Sequence, residues 1–343
     1  MAPHHPSEGS GEDRLIARYF RPLAKHPGAL GLSDDAAVMT PPPGSDLILK
    51  TDGVISGVHF FPDDPAGAVA KKVLRMNLSD LAAKGATPLG FLVAIALPKD
   101  VTEAWLAAFA KGLGEDAEHF DCPLLGGDTD RTPGPLSVSI TAFGTLPQGT
   151  MVLRSGAKPG DIVVVTGTIG DAALGLRLRQ DPAAAGRWRL TDDLRDHLLD
   201  RYLLPQPRNA ISELIRRYAS AAMDVSDGLA GDLSKLCRAS AASADIQCAQ
   251  VPLSQAARAA LTADPALIES VLTGGDDYEI VATVAPDKLQ SLTSAAATSG
   301  VAVTEIGRMR AGDGHGAAKF GEARFLDASG NVLAFAQPSF SHF

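Results

Sequence analysis

Six stretches place aspartate among glycine or apolar residues: SDDAAV (33–38), LKTDGV (49–54), NLSDLAAKGA (77–86), LLGGDTDR (124–131), AMDVSDGLAGD (222–232) and TGGDDYEI (273–280). Any one of them reads as an ordinary turn, because Asp and Gly are the usual turn formers. Together, mostly at junctions of strand with helix or turn, they put carboxylates where rigid elements can aim them at one point. Carboxylates gathered in one site repel one another unless divalent cations bind them. Oxygen-only donors suit Mg2+ or Ca2+ far better than zinc. Mg2+ with a nucleotide is the natural pairing, since the cations bridge carboxylates to phosphates and stabilise attacking and leaving oxygens of an in-line displacement.

Helix geometry isolates one of these carboxylates. At about 100° per residue, Ala70, Leu74, Leu78 and Leu81 form one apolar stripe, with Asn77 and Asp80 on its flank beside Val69 and Val73, away from Lys72 and Arg75. A carboxylate there wants a cation, either a metal or Lys84 at i+4. No G-x-x-x-x-G-K-[ST] loop and no strand-associated G-x-G-x-x-G occurs, so neither a P-loop enzyme nor a Rossmann dinucleotide binder is supported. GTIGDAALG offers either an anion site at a helix start or a helix cap by Thr168 with turns at Gly167 and Gly170. Arg154 carries the guanidinium fork suited to phosphate.

The elements that must position these groups alternate between helix and strand. In the first block, EDRLIARYFRPLAKH has helical spacing from Glu12 to about His26, and LILKTDG and GVHFF read as short strands around a glycine turn. A helix from Pro65 to Gly85, the strand FLVAIALP, a helix from Thr102 to Phe120 and the strand LSVSITAFGTL follow. Turn residues near 148–160 suggest a boundary. The second block opens on DIVVVTG, as apolar as a central strand. Helices follow at 171–179, 192–204 and 208–220, then strands in YEIVATV and VAVTEIGRM. We expect an α/β or α+β fold in two lobes: a disordered tail over 1–13, an N-terminal domain over 14–150 and a C-terminal domain over 151–343.

With 343 residues, 45% hydrophobic and 21% charged, the chain has the composition of a globular protein of about two domains. Its net charge of -9, from 40 acidic and 31 basic side chains, disfavours nucleic acid as a partner. No window approaches the roughly 18 apolar residues of a membrane span, and the start lacks an apolar signal core. A cytoplasmic location is expected. Cys122, Cys237 and Cys248 are odd in number and widely spaced, as for reduced thiols.

The stretches DDAAV, TDGVISGVHF, NLSDLAAKGA, GGDTDR, RSGAKPGD, VTGTIGDAALGL, DVSDGL, GGDDYE and the closing His-Phe resemble, in order, the thiamine-monophosphate kinases. These belong to an ATP-binding superfamily with aminoimidazole ribonucleotide synthetase, selenophosphate synthetase and a hydrogenase maturation factor. The resemblance implies ATP-dependent phosphorylation of thiamine monophosphate to thiamine diphosphate. It also implies a homodimer formed through the N-terminal sheets and a C-terminal α/β sandwich. Carried over by motif, Asp35, Thr51, Asp52, Asp80, Asp128, Asp224 and Asp227 would hold several Mg2+ ions. Gly126, Gly127, Arg154 and Ser226 would contact ATP, and His59, Asp276, Gln337 and Phe340 the thiamine phosphate.

Four positions depart from the family pattern. Ser33 replaces a glycine. Lys50 replaces a small hydroxyl residue, so it would serve a metal only through its backbone oxygen or would itself replace one cation. Asp276 replaces a Glu, and Gln337 stands where an aromatic is expected to stack on thiamine, with Phe335 or Phe340 as substitutes. The acceptor is itself an ionised phosphate, so its attack needs no general base and no nucleophilic side chain. The expected mechanism is direct transfer by alignment and charge neutralisation. The alternatives are another superfamily member, such as aminoimidazole ribonucleotide synthetase, or a silent nucleotide or metal sensor.

Overall fold

The computed structural model describes residues 10–311, 321–337 and 339. Contacts divide the chain into two compact units, Met1–Asn77 with Pro88–Thr145, and Leu78–Thr87 with Leu146–Phe343.

In the first unit, helix α1 (Gly11–Leu15) begins inside the polar N-terminal stretch. Ser10 and Asp13 form a reciprocal cap: the Asp13 amide donates to Ser10 Oγ at 3.1 Å and the Ser10 amide to Asp13 Oδ2 at 2.7 Å. The helical run continues through a wide turn at Ile16–Phe20 and a tight one at Arg21–Leu23, and ends there instead of near His26. Proline lacks the amide that a helix needs, and Pro22 and Pro27 crowd this end. Strand β1 (Ser45–Ile55), helix α2 (Ala66–Ala83, which counts with the second unit from Leu78 on), β2 (Thr87–Leu97), α3 (Glu103–His119), β3 (Leu124–Arg131) and β4 (Ser137–Pro147) follow.

The four strands lie in the order β1-β4-β2-β3, with β2 and β3 parallel. Along β4, Val138, Ile140 and Ala142 are fully buried while Ser139, Thr141 and Phe143 line a cavity, the alternation of a strand with two different faces. Helix α3 is capped as its sequence predicts, the Trp105 amide donating to Thr102 Oγ1 at 3.1 Å. Arg75 of α2 grips Asp116 of α3 with two bonds, Nε to Oδ2 at 2.6 Å and Nη2 to Oδ1 at 2.9 Å, in a buried setting.

Two expectations fail here. GVHFF is a turn, with Gly57 at φ +80° and a single bridge from Ser56 to Phe60. GGDTDR, in contrast, is part of strand β3.

In the second unit the chain forms β5 (Ile162–Thr166), α4 (Asp171–Gln180), α5 (Ala184–Arg187), α6 (Asp192–Leu203), α7 (Ser212–Tyr218), β6 (Ala219–Val225), α8 (Leu229–Ala239) and β7 (Ala242–Gln247). It continues with α9 (Gln255–Ala263), α10 (Ile268–Thr273), β8 (Glu279–Val284), α11 (Leu289–Thr298), β9 (Val303–Ala311) and β10 (Ala323–Leu326). The helix expected to run from 208 to 220 ends at Tyr218, where β6 begins.

The sheet order is β10-β7-β9-β5-β8-β6. β5 is buried on both faces: Val163 and Val165 join a core with Leu174 and Leu233, and Ile162 and Val164 a second core with Ile215 and Leu292. That double burial explains the unbroken apolar run of DIVVVTG. β5 and β6 each run antiparallel to β8. The C-terminal ends of β5 and β6 therefore meet the N-terminal end of β8 at one end of the strands.

The Arg75–Asp116 pair gives a test of the first unit. Arg75→Met leaves a buried carboxylate without its cation and should lower unfolding stability by about 3–5 kcal/mol. Urea denaturation checks this, and an unchanged midpoint would show the pair to be dispensable.

Candidate functional site

In the first unit, the N-terminal segment and the face of the sheet carrying Ser139 and Thr141 enclose a cavity of about 700 Å³. Asp34, Asp35, Gly126, Gly127 and Asp128 line it together with apolar Phe20 and Leu92. Two short local bonds shape its acidic corners: the Asp35 amide donates to Asp34 Oδ1 at 2.8 Å, and the Thr129 amide to Asp128 Oδ1 at 3.0 Å. Gly127 is required by close approach, because a Cβ there would stand 1.8 Å from the Val93 carbonyl oxygen. Ser33 has φ -115°, open to any residue, so its departure from glycine imposes no backbone strain. The left-handed conformations fall instead on Leu30, Gly31 and Leu32.

β1 separates its three site candidates by period two. Thr51 faces Thr141, whose hydroxyl donates to Thr51 Oγ1 at 3.1 Å, while Lys50 and Asp52 share the opposite face. Lys50 Nζ lies 2.9 Å from Asp52 Oδ2. The Asp52 amide donates to Asn77 Oδ1 at 2.9 Å, and Asn77 Nδ2 donates to the Val73 carbonyl, so a fully buried amide of α2 fixes Asp52. His59, in the turn after β1, accepts the Ile55 amide at Nδ1 (3.0 Å), which leaves Nε2 as the protonated nitrogen of the neutral ring. Asp80 is half-buried on α2, and Lys84 Nζ donates to the Ala222 carbonyl at 2.7 Å.

In the second unit, the loops GTIGD, DVSDGL and GGDDYE converge where the C-terminal ends of β5 and β6 meet the N-terminal end of β8, whereas RSGAKPGD runs beside the first half of β6. The Asp276 amide donates to the Ser226 carbonyl at 2.9 Å, and the Tyr278 amide to Val225 at 2.9 Å, stitching GGDDYE to DVSDGL. Asp276 and Tyr278 both have positive φ, at 71° and 49°. Tyr278 Oη donates to Asp276 Oδ1 at 3.2 Å, which orients the shorter carboxylate. Asp224 is buried at the end of β6, followed by Ser226 and Asp227. The RSGAKPGD loop that carries Arg154 is pinned by Ser240, whose Oγ donates to the Arg154 carbonyl at 3.1 Å and accepts the Ala157 amide at 3.2 Å.

The start of α4 is closed from within. Both oxygens of Asp277 accept the Gly170 amide, at 3.0 and 2.8 Å, so the chain's own carboxylate occupies the position that sequence offered to an anion. Burial pushes the Asp277 carboxyl well above the usual carboxylate range. Beside it, fully buried Glu279 accepts from Arg201 Nη2 at 3.0 Å, from Thr166 Oγ1 at 2.7 Å and from Arg208. Near the described end of the chain, Gln337 is exposed, and its amide and that of Ala336 donate to Glu269 of α10. Phe335 stands edge-on to Phe325 at 5.6 Å, against the core, and is thus committed to packing. Phe340 and the closing His-Phe lie outside the described residues.

Among the described residues, no three His, Cys, Asp or Glu side chains are gathered closely enough to hold a metal by themselves. The donors at these loops are nevertheless carboxylate and hydroxyl oxygens, a set that fits Mg2+. Sequence reasoning assigned no role to Asp232, Lys235, Asp277 or Glu279. The signals for the last two were acidic residues opening the apolar strand YEIVATV.

Residues 33–146 match the model of the AIR synthase related protein N-terminal domain, and 158–319 that of its C-terminal domain. The chain is 45% identical over 303 residues to the thiamine-monophosphate kinase of Caulobacter vibrioides, covering 87% of this chain and 84% of that one. It is similar in structure to the thiamine-monophosphate kinase of Stenotrophomonas maltophilia, with a TM-score of 0.80, 36% identity and coverage of 95% and 98%. A protein named AaThiL, complexed with AMPPCP and TMP, matches with a TM-score of 0.75, 28% identity and coverage of 90% and 91%.

The α4 start also predicts a pH response. Burial acts to raise the Asp171 pKa, but hydrogen bonds from His197, Ser254 and Thr168 outweigh it and hold the carboxyl below 3.8. The bond to Asp171 raises His197 above 6.5. The contribution of His197 is therefore complete below about pH 6.5 and is lost as pH rises through its folded pKa. That of Asp171 is complete above 3.8 and is lost as pH falls through its folded value. The melting-temperature gap between wild type and His197→Ala should be largest near pH 5.5 and narrow toward pH 9. A gap independent of pH would remove the pair from the stability of this region.

Proposed function

The chain belongs to the thiamine-monophosphate kinase family, and from that premise we propose that it transfers the γ-phosphoryl group of ATP directly to thiamine monophosphate, giving ADP and thiamine diphosphate. The observation that carries this reading is the convergence of DVSDGL and GGDDYE at one end of the strands, in a chain whose relatives, one of them 45% identical, are named for this reaction. The AaThiL complex with AMPPCP and TMP supports the same pair of ligands. Selenophosphate synthetase and hydrogenase maturation chemistry would each call for a reactive cysteine. Here burial pushes the thiols of Cys122 and Cys237 up to about 12 and raises that of Cys248 as well.

The protein's part in the reaction is to bind, align and neutralise. Asp35, Thr51, Asp52, Asp80, Asp128, Asp224 and Asp227 would hold Mg2+, with Lys50 contributing at most its backbone oxygen because its ammonium is engaged with Asp52. Bound Mg2+ supplies charge neutralisation of the polyphosphate. Gly126 and Gly127 admit ATP phosphates close to the backbone, and Arg154 and Ser226 contact the nucleotide. His59, held as an Nε2 donor, reaches the acceptor phosphate, while Asp276 and Gln337 stand at the thiamine side. The acceptor oxygen is already ionised, so no side chain need remove a proton.

The chain acts as a homodimer in the cytoplasm. Leu47, Leu49 and Ile55, exposed on β1, and Val58 after it support a second copy as their cover. The free thiols of Cys122, Cys237 and Cys248 support that compartment.

Mutation tests the assignment. Asp52→Asn and Asp128→Asn should each cut thiamine diphosphate formation by about 100-fold or more with unchanged melting curves, since what is lost is charge and not packing. Wild-type turnover in either would remove that residue from the site. His59→Ala should raise KM for thiamine monophosphate more than for ATP. The reverse pattern would move His59 to the nucleotide side.

A further inference from the structure

The turn that carries Ser226 and Asp227 takes its shape from a residue outside it. Asp232, one turn into α8 and fully buried at its side chain, accepts two amides on one oxygen: Ser226 at 2.9 Å and Asp227 at 2.8 Å, both on Oδ2. Its Oδ1 accepts from Lys235 Nζ at 2.8 Å. The same ammonium also reaches Asp227 Oδ2. One lysine thus ties a buried structural carboxylate to the carboxylate that the family pattern assigns to metal.

The two attachments are unequal. Asp232 is anchored by two backbone bonds, whereas the side chains of Asp227 and Lys235 are 37% and 31% exposed. A lysine stem has several soft torsions, so its ammonium can leave Asp227 without leaving Asp232. An ammonium and a divalent ion held on one carboxylate repel one another, so each weakens the other's hold on Asp227. Without either cation, Asp227 and Asp232 would face each other as like charges five residues apart.

We propose that Lys235 is a resident counter-cation for Asp227 that a divalent ion replaces when nucleotide binds, the lysine then remaining with Asp232 alone. This rests on the reading of Asp227 as a metal ligand. Lys235 acts as a positioning residue: it keeps the turn formed in the metal-free chain and sets the metal concentration needed to load it.

The test uses Mn2+ with a non-hydrolysable ATP analogue, followed by electron paramagnetic resonance and by thermal melting. Lys235→Met should melt several degrees below wild type without metal; saturation with metal should narrow this gap by about 3 °C without closing it, because the Asp232 pair is lost in both states, and the variant should bind Mn2+ about tenfold more tightly. Lys235→Arg should restore the metal-free melting temperature. Should the Met variant fold poorly, Lys235→Gln carries the same comparison. If Lys235→Met is equally destabilised with and without metal and binds Mn2+ as wild type does, while Asp227→Asn weakens Mn2+ binding, the exchange is overturned and Asp227 remains a ligand. If Asp227→Asn binds Mn2+ as tightly as wild type, both Asp227 as ligand and the exchange fall.

Discussion

Mutual repulsion among carboxylates is the constraint that the rest of this structure answers. A chain of net charge -9 brings aspartates from distant segments to a few loops, and each placement needs a counter-group. Lysine serves at Asp52 and Asp227, paired arginines at Glu279, His197 at Asp171 and a backbone amide at Asp277. Apart from Asp224, which is buried yet assigned to metal by the family pattern, these carboxylates are of two kinds. Glu279, Asp171 and Asp277 are buried and satisfied from within, and they hold loops. Asp52, Asp128 and Asp227 are more exposed and stand where an external cation can reach them.

That separation explains why the sheet matters to the chemistry. In the second unit β5 and β6 both run against β8, so loops from residues 167, 226 and 276 arrive at one end of these strands although they are far apart in sequence. Buried ion pairs make poor general stabilisers, because desolvation offsets much of their attraction. Around Glu279 they sit instead where Gly167, Thr166 and Arg208 must be held in register, as a Cβ at Gly167 would fall 2.1 Å from Glu279 Oε1.

Much of this was legible from residue patterns. Thr102 and the apolar spacing after it marked α3 nearly to the residue, and the run DIVVVTG marked a strand buried on both faces. β3 was not legible, because its last six residues, GGDTDR, largely disfavour strands, and parallel pairing with β2 holds it extended. GVHFF failed in the opposite sense: its residues favour a strand, but Gly57 turns the chain. At the candidate site, the acidic motifs themselves stood out. The partners of Asp277 and Glu279 did not, since their bonds span about a hundred residues and leave no local spacing to read. The split of Thr51 from Lys50 and Asp52 follows from strand periodicity once β1 is known to run through them.

The most direct measurement is product balance: purified protein incubated with ATP, Mg2+ and thiamine monophosphate, with ADP and thiamine diphosphate quantified together. Charge-neutralised direct transfer requires the two products in equal amounts and neither when Mg2+ is chelated. Nucleotide binding with no thiamine diphosphate formed, or ADP released without it, would contradict that chemistry.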